Sequence, residues 1–278
     1  MVATTETSPA PHRGAATAVA LLLALAASAC GGAEPSPAPP APTERGLPAD
    51  KVDFCTGAVD LAGVVNDGPD VPDGPPPPSP EDVAAAFEEY QARLEPPLTA
   101  VEQSVPPALQ QDIATIARQA RYAVATNDEA PLGTPEYDTA VSRLRAYMIT
   151  DCGFEQVRVT AVEYRFDGIP ARLPAGTVAF TVSNQGAETH ELDVYRINEG
   201  VPQPFGELAL LPDDQREVVL TSVGEISVSP GAADTEFMTL IPGRYGVACP
   251  VLQGTSPTAD GTGAPHAALG MVAEFTVG

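Results

Sequence analysis

"GTVAFTVSNQGAETHELDVYRI" (176–197) decides the fold. Two runs rich in β-branched and aromatic residues flank a short polar break containing Asn184 and Gly186, residues that favour turns. The same texture recurs in "VRVTAVEYRFDGIP" (157–170), "REVVLTSV" (216–223), "GRYGVAC" (243–249) and "MVAEFTV" (271–277). Gly, Pro, Asn and Asp separate these runs, and no helical run of comparable length interrupts them. That pattern predicts an antiparallel β-sandwich of Greek-key type over residues 152–278, long enough to bury a core of its own.

Upstream the period is helical. Ser79 is placed to cap a helix, with Pro80 at its first position and Glu81 and Asp82 in its first turn. Val83, Phe87, Tyr90 and Leu94 follow at helical spacing, and "EPP" (95–97) is expected to end the run. A second helix is expected from about Pro107, with Leu109, Ile113, Ile116, Ala120 and Val124 on one face. A third carries Tyr137, Val141, Leu144 and Met148 and stops at "DCG". Residues 81–151 therefore read as a small helical bundle, and the whole chain as mainly β with that bundle in front. Residues 51–80 read as a short piece containing Cys55 followed by the Pro-rich linker "NDGPDVPDGPPPPSP" (66–80). Residues 30–50, rich in Pro and Ala, read as a semi-extended tether.

The first 29 residues read as a signal peptide. Arg13 precedes an apolar stretch, "GAATAVALLLALAASA" (14–29), too short to span a membrane comfortably. Small residues directly before Cys30 resemble a bacterial lipobox, which implies lipidation of Cys30, although Ala27 stands where that motif prefers Leu. Ordinary secretory cleavage near Ala29 is the alternative, and either implies export. The formal net charge of −23 disfavours nucleic acid and anionic lipid as partners held by charge attraction.

Export permits disulfides. Of the four cysteines, Cys30 is used by the lipobox, leaving Cys55, Cys152 and Cys249. An odd number leaves at least one thiol without an intramolecular partner. The count does not choose the pair. Cys55–Cys152 is the economical choice, because it clamps the helical part to the start of the sandwich and leaves Cys249 free.

The sandwich holds a compact inventory of soft and borderline metal ligands. His190 stands at a strand start, Cys249 at a strand end, and His266 and Met271 in "PHAALGM" (265–271). Of three histidines in the chain, His12 lies in the signal, so both others belong to this set. Two imidazoles, one thiolate and a weak axial thioether suit both oxidation states of copper.

In this order the residues resemble the cupredoxin family, the plastocyanin and azurin type of blue-copper domain, over about 157–278. Asn184 and Gly186 precede His190 as in the family's "N-x-G" turn. Cys249, His266 and Met271 follow in the family's order, with its His-x4-Met spacing, its "PGRY" approach to the Cys strand and its "GM" approach to the last strand. The resemblance implies that His190, Cys249 and His266 are equatorial ligands of one copper and Met271 the axial one. Two departures stand out. Sixteen residues, "PVLQGTSPTADGTGAP" (250–265), separate Cys249 from His266, where familiar members have only a few. By the logarithmic rule this adds about 1.2 kcal/mol of closure entropy, and a long polar loop is expected to leave His266 less fixed and copper more exposed. Glu191 replaces the Asn that follows the first ligand in plastocyanins and braces the site there.

Together with the lipobox-like signal, the resemblance implies an exported copper-binding lipoprotein at the outer face of the cytoplasmic membrane. It would serve single-electron transfer with a redox partner protein, or copper handling with a copper donor, and carry out no enzymatic turnover. The competing reading is a binding or scaffolding lipoprotein that keeps the fold without the metal.

Overall fold

The computed structural model describes residues 49–72 and 76–278. The signal peptide, Cys30 and nearly all of the tether lie outside the described residues. Four long helices come first: α1 (Ala49–Asp67), α2 (Pro80–Ser104), α3 (Gln110–Thr126) and α4 (Pro135–Asp151). Ser79 caps α2 in a reciprocal box, its hydroxyl accepting from the Asp82 amide at 3.2 Å while Asp82 Oδ2 accepts from the Ser79 amide at 3.0 Å.

Two expectations about the helices are corrected. The segment around Cys55 is itself a helix, α1, whose buried Phe54, Cys55, Ala58, Leu61 and Ala62 fall at helical spacing. The chain also continues helically through Pro96 and Pro97 to Ser104. Each proline removes a backbone donor and disfavours the helix by about 3 kcal/mol. Leu98, next in the chain, and Val101, one turn later, are fully buried against the other helices and offset that cost.

Residues 155–277 form nine strands in two facing sheets. One sheet is ordered β2 (Arg165–Asp167), β1 (Glu155–Val162), β4 (Gly176–Asn184), β7 (Ala233–Leu240). The other is ordered β3 (Arg172–Leu173), β9 (Val272–Val277), β8 (Gly243–Ala248), β5 (His190–Ile197), β6 (Leu220–Val228). The sandwich is not purely antiparallel. β1 pairs with β4, and β3 with β9, in parallel, because these partners are distant in sequence and joined by crossovers rather than hairpins. The run 216–223 is also divided: two short helices, α5 (Phe205–Leu208) and α6 (Asp213–Val219), precede β6, so "REVV" is helical. Helices hold more of the described residues than strands do, so the chain as a whole is α plus β, and only the C-terminal part is mainly β.

Both sheets have a covered outer face. Val178 and Phe180 of β4 point into the sandwich core, whereas Ala179, with Phe237 of β7 and Phe154, joins the core of the helical bundle. On the other sheet, Tyr195 and Ile197 of β5 pack with Phe205 and Leu208 of α5. Burial on two sides explains the unbroken apolar "VAF" in β4. A Cys55–Cys152 disulfide spanning 97 residues ties α1 to the end of α4, and Cys249 is buried and free among the described residues. Among the described residues no helix is long and apolar enough to cross a membrane.

Candidate metal centre

The centre lies at one end of the sandwich, where β4 turns into β5 and β8 leads through a long loop to β9. Asn184 organises the first turn. It is buried, its side-chain amide donates to the Glu188 and Val228 carbonyls at 2.8 Å each, and its Oδ1 accepts from the Gly186 amide at 2.8 Å. A Cβ at Gly186 would lie 2.7 Å from His190 Nε2, so only glycine lets the turn approach the ring this closely. His190 then opens β5, opposite Val228 of β6.

Cys249 follows β8, and its amide donates to the Met271 carbonyl at 3.2 Å. The sixteen-residue loop does not leave His266 exposed. It folds back on itself through a bridge between Leu252 and Pro265 and a Gln253 amide bond to Ala264, so the stretch that must close is short. His266 donates its amide to Val251 and opens a single 3-10 turn, His266–Leu269. Gly270, at φ +111°, ends that turn in the left-handed region that favours glycine. Met271 follows with its amide bonded to the His266 carbonyl.

Three of the four expected ligands, His190, Cys249 and His266, converge. His190, Cys249, His266 and Met271 are each 0 % exposed, and one ligand atom of each of the first three lies within 4.8 Å of the others. His266 Nδ1 is 3.3 Å from Cys249 Sγ and 3.2 Å from His190 Nδ1. Met271 shares the apolar cluster of Cys249 and is tied through its backbone to both Cys249 and His266.

This donor set fits a copper ion. Two Nδ1 atoms facing each other at 3.2 Å need a proton or a cation between them, and the buried Cys249 thiol completes a soft trigonal set. Burial lowers the His190 pKa, with the adjacent His266 adding to the effect, which favours the neutral ligand form. Burial pushes the Cys249 thiol up to about 11, opposed by amide donors including Glu191, whose N–H meets Sγ at 3.3 Å. Metal binding therefore has to displace the thiol proton. Bracing after His190 thus comes from the Glu191 backbone, while its side chain joins Asp193 and Glu225 in an acidic group on the outer face of the sheet.

Two further glutamates touch the histidines and were not singled out from the sequence. Glu188 Oε2 lies 2.9 Å from His266 Nε2, and Glu163 Oε1 lies 3.7 Å from His190 Nε2. Burial tends to raise the Glu163 carboxyl, but amide bonds, first from Glu188 and then Ala187, outweigh it and hold the group below its usual value. Glutamates are common in this acidic chain, and only long-range folding distinguishes these two. Glu188 alone carried a local hint, two residues before His190.

No protein-family model matches the chain, and no curated protein sequence matches it either. Among solved structures it is similar to dithionite-reduced auracyanin from the photosynthetic bacterium Roseiflexus castenholzii, at 22 % identity over 44 % of this chain and 96 % of that one, TM-score 0.29. It is also similar to auracyanin A, a blue copper protein of Chloroflexus aurantiacus, at 19 % identity over 45 % of this chain and all of the other, TM-score 0.28. Rusticyanin from Thiobacillus ferrooxidans matches at 19 % identity over 45 % of this chain and 78 % of that one, TM-score 0.28. TM-scores this low lend the chain no function, and the reading below rests on its own side chains.

Proposed function

We propose that this chain is an exported copper protein with one type-1-like centre, carrying single electrons at the cell envelope. The observation that carries the reading is the buried convergence of two imidazole Nδ1 atoms on an unpaired thiol. His190, Cys249 and His266 would hold the ion, with Met271 as the axial thioether. Copper bound there supplies a one-electron couple. The protein's part is to hold four donors in a dry, fixed arrangement, so that a change of oxidation state needs little movement of atoms.

The Cys55–Cys152 disulfide supports an oxidising compartment. With the lipobox-like sequence at Cys30, it favours a lipid-anchored protein on the outer face of the cytoplasmic membrane. Electron transfer, without substrate turnover, requires a redox partner protein. The charge of −23 favours one with a basic docking face and disfavours nucleic acid.

Titrating the purified protein with Cu(II) tests the proposal. One equivalent should bind with an intense visible thiolate-to-copper absorption, and Cys249→Ser should abolish that band. Copper bound without colour would point to copper handling, and no binding at all would support the metal-free alternative.

A further inference from the structure

His266 has two nitrogens in different surroundings. Nδ1 faces Cys249 Sγ and His190 Nδ1, while Nε2 faces Glu188 Oε2 at 2.9 Å, and the whole ring is buried. A neutral imidazole carries one N–H, and the hydrogen bond made by one nitrogen decides which tautomer the other presents. A carboxylate at Nε2 only accepts. It therefore retains the proton on Nε2 and leaves the Nδ1 lone pair directed at the centre.

Glu188 is itself held by the residues that surround it. Its Oε2 accepts from the Gly254 amide at 2.7 Å, and its Oε1 accepts from the Tyr164 hydroxyl at 3.3 Å. That hydroxyl accepts from Gln253 Nε2 at 2.7 Å, and the Tyr164 ring lies 4.8 Å from the His266 ring. The Thr189 amide donates to Thr255 at 2.9 Å, a second tie between the β4–β5 turn and the same loop. The unusual length of 250–265 thus has a structural use: it reaches over His266 and supplies the amide that fixes the carboxylate. The Glu188 side chain is 21 % exposed, so these donors, rather than burial, hold its charge against His266 Nε2.

His190 is supported differently. Glu163 Oε1 stands 3.7 Å from its Nε2, beyond hydrogen-bond reach, and instead accepts from the Ala187 and Glu188 amides. Among the described residues His190 Nε2 has no hydrogen-bond partner.

We propose that Glu188 is the principal positioning residue of the centre: through Nε2–H it sets the His266 tautomer, and its charge favours Cu(II) over Cu(I). A carboxylate on the outer nitrogen makes an imidazole a stronger donor, and the more highly charged ion gains more from it. Glu163, without the hydrogen bond, exerts the smaller influence. This rests on the copper reading, and the test separates the two.

The experiment measures Cu(II) affinity, Cu(I) affinity and reduction potential for the full chain, Glu188→Gln, Glu188→Ala and Glu163→Gln. Glu188→Gln keeps the size and an acceptor but removes the charge. It should bind Cu(II) about tenfold more weakly and Cu(I) as before, which raises the potential by about 59 mV. Glu188→Ala should lose more, and Glu163→Gln less than either. Equal losses for both ions in Glu188→Gln, or no change in either, would overturn the proposal. Nitrogen-15 NMR of the copper-free protein gives an independent readout. His266 should carry its proton on Nε2 in the wild type, and a proton on Nδ1 would overturn the proposal whether or not copper binds. A wild-type protein that binds no copper would defeat the copper reading alone.

Discussion

The helical bundle and the ligand-bearing end of the sandwich bury similar depths of chain for different ends. In the bundle the buried large side chains are apolar or aromatic: Phe54, Phe87, Tyr90, Leu94, Leu98, Ile116 and Met148. Its buried carboxylate, Asp112, is paired with Arg143 at 3.2 Å. At the end of the sandwich the interior instead holds Asn184, two histidines and a thiol. Polar groups buried without full compensation cost stability; among the described residues His190 Nε2 has no partner here, as the Tyr90 and Tyr137 hydroxyls have none in the bundle. The bundle serves stability alone, whereas the ligand-bearing end carries the chemistry as well, so substitutions in the bundle should leave copper binding unchanged.

The largest effect should come from the disulfide. Replacing Cys55 and Cys152 together by Ser releases a loop of 97 residues, which should cost about 2–5 kcal/mol in denaturant unfolding. Copper stoichiometry and colour in the folded fraction should not change. A change in colour would mean that the two regions are coupled.

Next is Asn184→Ala, which removes both side-chain donors and the acceptor of the β4–β5 turn. Unfolding should show a loss of about 1–3 kcal/mol for the buried groups left unpaired. Unlike the disulfide variant, this one should also weaken Cu(II) binding, because the turn positions both Glu188 and His190. Unaltered affinity would place the bracing elsewhere.

The smallest effect concerns the seam between the regions. Arg145 of α4 lies 3.0 Å from Asp234 and 3.9 Å from Glu236 of β7. Burial raises the Glu236 carboxyl above its ordinary 4.5, with Arg145 only partly opposing it. A group raised in the folded state favours folding below its unfolded pKa and withdraws that support as pH rises through the folded one. The melting temperature of the wild type, relative to Glu236→Gln, should therefore decline as pH rises from about 4.5. Parallel pH profiles would contradict this.

What could be read from the sequence follows the same division. His190, Cys249, His266 and Met271 were legible because their types are rare here and their order is distinctive. β7 was not, because Asp234, Thr235 and Glu236 interrupt its apolar residues where it borders the bundle. The continuation of α2 through Pro96 and Pro97 was likewise hidden, since packing of Leu98 and Val101 overrides the local preference. α1 was legible in principle, from the spacing of Phe54, Cys55, Ala58, Leu61 and Ala62. The parallel pairings and the two glutamates on the histidines depend on distant residues meeting, which no local pattern records.

X-ray absorption at the copper edge, on protein loaded with one equivalent, tests the central claim most directly. The account predicts one thiolate sulfur and two imidazole nitrogens as the near ligands, with the sulfur lost in Cys249→Ser. A shell of oxygen and nitrogen alone would contradict it and would place the ion elsewhere, the carboxylate group of Glu191, Asp193 and Glu225 being one alternative set of donors.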